Sequence, residues 1–211
     1  MVVVTKSEQK AQKILKRFLE ENPAPESCFC SLESAKPSCT TVDPETHYIC
    51  NFKGLSSIGR AIVEIATDAS EGELIAFLPE MRELAPQRER YRNLAEAINR
   101  VRVYSHGDDV KRCGKVELIP MSSSKMKPYW MVLYSSMRLN IACIAKRHST
   151  SKAMETGLFS CFVTCNPFQV HALRRQFGLM SVGLPGVIQQ WESEFPLPIP
   201  SENELQKLSC S

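Results

Sequence analysis

The chain has 211 residues, 43% of them hydrophobic, and Lys plus Arg exceed Asp plus Glu by only three (26 against 23). That length can bury one sizeable core or two small ones, and the near balance of charge excludes a dedicated nucleic-acid binder whose whole surface is basic. The opening MVVV is shorter than a signal-peptide apolar region, and no apolar run approaches the roughly 18 residues of a membrane span, so a cytoplasmic protein without a membrane span is expected.

In residues 5–21, Ala11, Ile14, Leu15, Phe18 and Leu19 recur at helical spacing among Lys, Gln and Glu. An amphipathic helix is expected, in a segment spanning 1–22. The proline-, Ser- and Thr-containing stretch that follows reads as a linker over 23–46, with the folded body starting at His47.

From there short β-branched or aromatic runs alternate with amphipathic helices. Strand HYICNF (47–52) precedes helix SSIGRAIVEIATD (56–68), whose stripe is Ile58, Ala61, Ile62 and Ile65. ELIAFLP (73–79), a continuous apolar run closed by proline, suits a buried strand. A helix from about Pro86 to Arg100 and strand VRVYSH (101–106) follow. The runs KVELIP, PYWMVLY and LNIACIAK show no helical period and are expected to form an antiparallel meander, with LFSCFVTC as a fourth strand. Asn166-Pro167 then reads as a cap and first helical position, and Gly178 as the terminating glycine. The whole predicts an α/β domain over 47–178, a mixed sheet flanked by helices, followed by an extended C-terminal segment, 179–211, with a short helix near Val187 to Glu194.

The order LSSIGRAIVEIA, ELIAFLP, QRERYRNLA, VRVYS, KPYWMVLYSSMRLNIACIAKR and FSCFVTCNPFQVHAL resembles the DICT sensory domain of diguanylate cyclases, two-component proteins and some MerR-type regulators, from about Tyr48 to Phe177. Where that family usually has a Trp and an Asp-Pro, this chain has Phe162 and Asn166-Pro167. The resemblance implies a non-catalytic regulatory module in signal transduction, responding to light or redox state in many members. It would bind a small ligand or a protein partner.

Candidate sites follow from the residues. In the 86–100 helix Arg and Glu alternate, so the simplest reading is a solvated face. Arg90, Tyr91 and Arg92 are nevertheless ligand or partner candidates, because the helix begins past the end of a strand where α/β sheets place ligands. Nucleic acid is the disfavoured reading. His106 ends a strand at a Gly-Asp turn, and Tyr129 and Trp130 could line a cavity for a planar ligand or belong to the core. Ile14, Leu15 and Phe18 are the self-association candidates, making a homo-oligomer or a signalling protein the expected partner.

Nine cysteines is a high count, but the number is odd and most lie in apolar segments, which favours reduced thiols over a disulfide scaffold. Cys28, Cys30, Cys39, His47 and Cys50 carry ligand chemistry but no recurrent zinc spacing, so no metal is expected. A small redox or metal protein using those cysteines is the alternative function. No G-x-S-x-G, H-E-x-x-H or evident acid-base pair is present, so an enzyme is not expected. Nothing identifies a cofactor or chromophore.

Overall fold

The computed structural model describes residues 46–80, 86–106, 113–121, 124–148, 158–181, 186–195 and 197–199. The expected N-terminal helix with Ile14, Leu15 and Phe18, and Cys28, Cys30 and Cys39, lie outside the described residues. The elements run β1 (Thr46–Asn51), α1 (Phe52–Ala69), β2 (Glu73–Glu80), α2 (Arg88–Ala97), β3 (Arg100–His106), β4 (Glu117–Pro120), β5 (Tyr129–Ser135), β6 (Asn140–Arg147), β7 (Leu158–Thr164), α3 (Pro167–Ser181) and α4 (Val187–Glu194).

The protein is an α/β fold, a seven-stranded mixed sheet in the order β1-β7-β6-β5-β2-β3-β4 with helices packed on both faces. β2, β3 and β4 pair in parallel, and every other neighbouring pair is antiparallel. Every side chain of β5 and β7 is buried, which explains why these strands read as continuous apolar runs rather than alternating ones.

Alternation along the strands divides the interior into two cores. Under α1 and α2 lie Leu74, Ala76, Val103, Trp130, Val132, Cys143 and Cys161; under α3 and α4 lie Ile75, Phe77, Tyr104, Met131, Ile144 and Phe162. α1 starts earlier than its apolar stripe suggests, because the Asn51 side chain accepts the Gly54 N–H at 3.0 Å and caps the helix straight after the strand. Gly72, at φ +86, turns the chain from α1 into β2, where a Cβ would lie 2.5 Å from the Ser135 carbonyl oxygen. α2 is shorter than expected: Asn99 leaves the helix to accept the Gly72 N–H at 2.7 Å through Oδ1, and Arg100 begins β3.

Two further expectations are corrected. β4 does not belong to a meander with β5 and β6, since it pairs in parallel with β3 at the sheet edge; the antiparallel run is β2-β5-β6-β7-β1. Gly178 does not terminate α3, which continues to Ser181. The Asn166 cap is present, its Oδ1 accepting the Phe168 N–H at 3.0 Å. α4, in the C-terminal segment, lays Val187 and Trp191 into the second core, with Phe195 just beyond it. No helix among the described residues is long and apolar enough to cross a membrane.

Candidate functional site

At the carboxyl end of β6 a cleft of about 210 Å³ opens between the sheet and the C-terminal segment, lined by Lys146, His148, Trp191, Glu192, Phe195 and residues 197–199. Its floor follows from strand register. Tyr129 on β5 stands directly opposite Lys146 on β6, and Nζ sits 5.4 Å from the Tyr129 ring centroid. Its far wall follows from helical spacing: Val187, Trp191 and Phe195 recur every four residues and turn inward, Trp191 meeting the Tyr129 ring edge-on at 4.8 Å and Phe195 packing on Phe162.

That packing brings Glu192 over the strand ends. Its carboxylate accepts from the Tyr129 hydroxyl and from Lys146 Nζ, the latter at 2.8 Å. These two hydrogen bonds, from Lys146 first, hold the Glu192 carboxyl below the usual carboxylate range. Burial, reinforced by the adjoining carboxylate, pushes the Tyr129 phenol well up. Near neutrality, therefore, tyrosine is protonated and glutamate ionised.

His148 and Ser160 make the one arrangement here that looks like a nucleophile and its base, with Oγ and Nε2 2.7 Å apart. Proton direction argues otherwise. Ser160 Oγ donates to the Pro198 carbonyl, which can only accept, so the single hydroxyl proton is committed and Nε2 must donate to Ser160. Ser160 is also fully buried. Burial, then the Lys146 charge, moves the His148 imidazole below its ordinary value, which favours this neutral donor. The chain His148 to Ser160 to Pro198 ties the C-terminal segment to the sheet.

Of the described residues singled out from sequence, none lines this cleft; Tyr129 comes nearest, buried beneath it with its hydroxyl given to Glu192. Trp130 points to the opposite face, so the two aromatics cannot line one cavity; its ring packs on α1 where Gly59 leaves room. Tyr91 is buried beneath α2. Arg90 and Arg92 are exposed on α2, with Arg92 paired to Glu89 one turn away. His106 shares the cleft's face and end of the sheet, with β2 intervening, and packs edge-on against Phe77 at 5.9 Å. His47 stacks on Phe162 in the second core while Cys50 borders the first, so they cannot hold one ion. No cluster of three metal-ligating side chains occurs among the described residues.

Sequence reasoning missed Lys146, His148, Trp191 and Glu192. The available signal was polar Lys-Arg-His closing the apolar run LNIACIA, together with aromatics four apart in the C-terminal helix. A second polar cluster serves packing: Glu73, nearly buried, is held by Arg102 at 2.5 Å and by Arg174 of α3 at 2.6 Å, while Arg100 grips Glu117 through two hydrogen bonds of 2.8 Å.

No protein-family model matches the chain, and no curated protein matches it. Among solved structures it is similar to TrmBL2, described as an archaeal chromatin protein with a novel mode of DNA binding, at 13% identity over 83% of this chain and 62% of that one, with a TM-score of 0.44. It is also similar to NucT from Helicobacter pylori, at 11% identity over 65% of this chain and 97% of that one, with a TM-score of 0.39. The chain thus spans less than two thirds of the chromatin protein. At these identities and superpositions neither likeness carries an inference about function.

Proposed function

We propose that the protein is a non-catalytic regulatory module that takes a small, flat ligand in the cleft between Lys146, Trp191 and Glu192 and relays binding through α4 and residues 197–199. The observation that carries this is the composition of the cleft: an aromatic and aliphatic wall of Trp191, Phe195 and Leu197 facing the ammonium of Lys146 and the carboxylate of Glu192, which Tyr129 holds from below. The DICT resemblance is consistent with a sensory role. The committed protons of Ser160 and His148 favour binding over catalysis.

The ligand is small. At about 210 Å³ the cleft falls short of the roughly 300–1,000 Å³ typical of pockets for drug-sized molecules, so a single ring with a polar head suits it better than a tetrapyrrole or flavin. Because Glu192 offsets the Lys146 charge, a neutral or zwitterionic head fits better than a strong anion. Protein-observed NMR with a panel of single-ring amides, amino acids and carboxylates tests this. Shifts should concentrate at Lys146, Trp191 and Phe195 and weaken at least tenfold in Glu192→Gln. Shifts confined to other surfaces, or none from any probe at millimolar concentration, would contradict it.

The partner in this reading is a signalling protein or a second copy, engaged through the helix expected at Ile14, Leu15 and Phe18. Deleting residues 1–22 should lower the mass measured by light scattering if the helix self-associates. An unchanged oligomeric state rules self-association out.

A further inference from the structure

We infer that Cys50 and Cys161 form a peroxide-responsive disulfide that staples the edge strand β1 to β7. The two Sγ atoms lie 3.3 Å apart across the β1-β7 ladder, on residues 111 positions apart in sequence. They are diagonal neighbours, since Cys50 stands opposite Phe159 and Cys161 opposite Tyr48. Both side chains turn toward α1, and no disulfide joins them. Closing the bond requires the sulfurs to approach by about 1.3 Å and, because diagonal neighbours stand roughly 7–8 Å apart, requires β1 to shift toward β7 as the bond forms.

The pair is divided in the way an attacking and a resolving thiol need to be. Cys50 is half-buried, one residue before the Asn51 cap of α1, where it meets solvent; Cys161 is wholly buried. A hydroperoxide therefore reaches Cys50 first. The Cys50 thiolate attacks one peroxide oxygen, becomes a sulfenic acid and releases hydroxide; the Cys161 thiolate then attacks the Cys50 sulfur, closing the S–S bond and releasing a second hydroxide. The two thiol protons leave with the hydroxides as two waters, and the peroxide receives the two electrons that the thiols give up. A dithiol reductant reverses the bond by exchange.

The alternatives fit less well. Cys113 and Cys143 are both buried, so neither offers peroxide the partly exposed sulfur that Cys50 does.

The test uses the full chain, reduced and then exposed to hydrogen peroxide, alkylated and cut after glutamate, so that residues 46–64 carry Cys50 as their only cysteine. Expected is a peptide pair joined between Cys50 and Cys161, placed there rather than at Cys165 by fragmentation, lighter than the two free peptides by about 2 Da and separated by dithiol. In Cys50→Ala, Cys161 should remain alkylatable at the same peroxide dose. Two results overturn the inference: both cysteines still alkylated when half the protein's thiols have been oxidised, or Cys50 joined to any cysteine other than Cys161.

Discussion

Gly59 shows how one residue sets the distance between a helix and a sheet. A Cβ there would fall 2.9 Å from the Trp130 ring, which the surrounding core holds in place. Alanine would gain about 0.5–1 kcal/mol in helix propensity, but overpacking a filled core costs roughly 1–3 kcal/mol. The clash wins, and Gly59→Ala should lower the urea midpoint, with Trp130→Phe recovering part of the loss in the double variant. His148 gives a pH prediction at the same scale. Because burial and Lys146 depress its folded value below that of the unfolded chain, its contribution is present above about pH 6.5. Below that the unfolded state takes up the proton first, so stability falls with falling pH until the folded imidazole protonates too. His106, depressed mainly by burial, acts in the same direction. Thermal melts between about pH 7 and 5 should show the decline, and His148→Gln should flatten it; an unchanged slope would count against the buried neutral donor.

α4 is the element on which the site depends. Trp191 is almost wholly buried against Tyr129, and truncating a core Trp to Ala costs roughly 3–5 kcal/mol. Against a typical total of about 5–15 kcal/mol, that is a large share. Trp191→Ala should therefore lower the melting temperature, and a chain ended at Gly178 should lose cooperative unfolding, as followed by circular dichroism, because the apolar face over Tyr129 and Phe162 would lie open to water. A sharp native-like transition in that fragment would show that α4 is dispensable to the fold.

At the scale of the whole molecule, what the sequence revealed and what it hid divide along local and long-range information. Strands β2, β5, β6 and β7 were legible because burial on both faces leaves unbroken apolar runs, and the start of α3 was legible because Asn166-Pro167 encodes its own cap. The place of β4 was not, since pairing order is decided by which edge is free after the crossovers are made. Tyr129 and Trp130, adjacent in sequence, leave a shared cavity and the core both open, and strand alternation sends them into two opposite cores. The cleft was hidden for the same reason: Lys146 and Glu192 lie 46 positions apart and meet only when α4 docks.

Hydrogen exchange of the full chain, with and without a ring ligand found by the NMR titration, tests the central claim most directly, because it reads whether binding reaches the C-terminal segment. The amides of Gln190 and Phe195, bonded to the Gly186 and Trp191 carbonyls, should already be protected in the free protein and should exchange several-fold more slowly once the ligand is bound, while those of α1 stay unchanged. A ligand that saturates the cleft and leaves exchange across residues 187–195 unaltered would contradict the account.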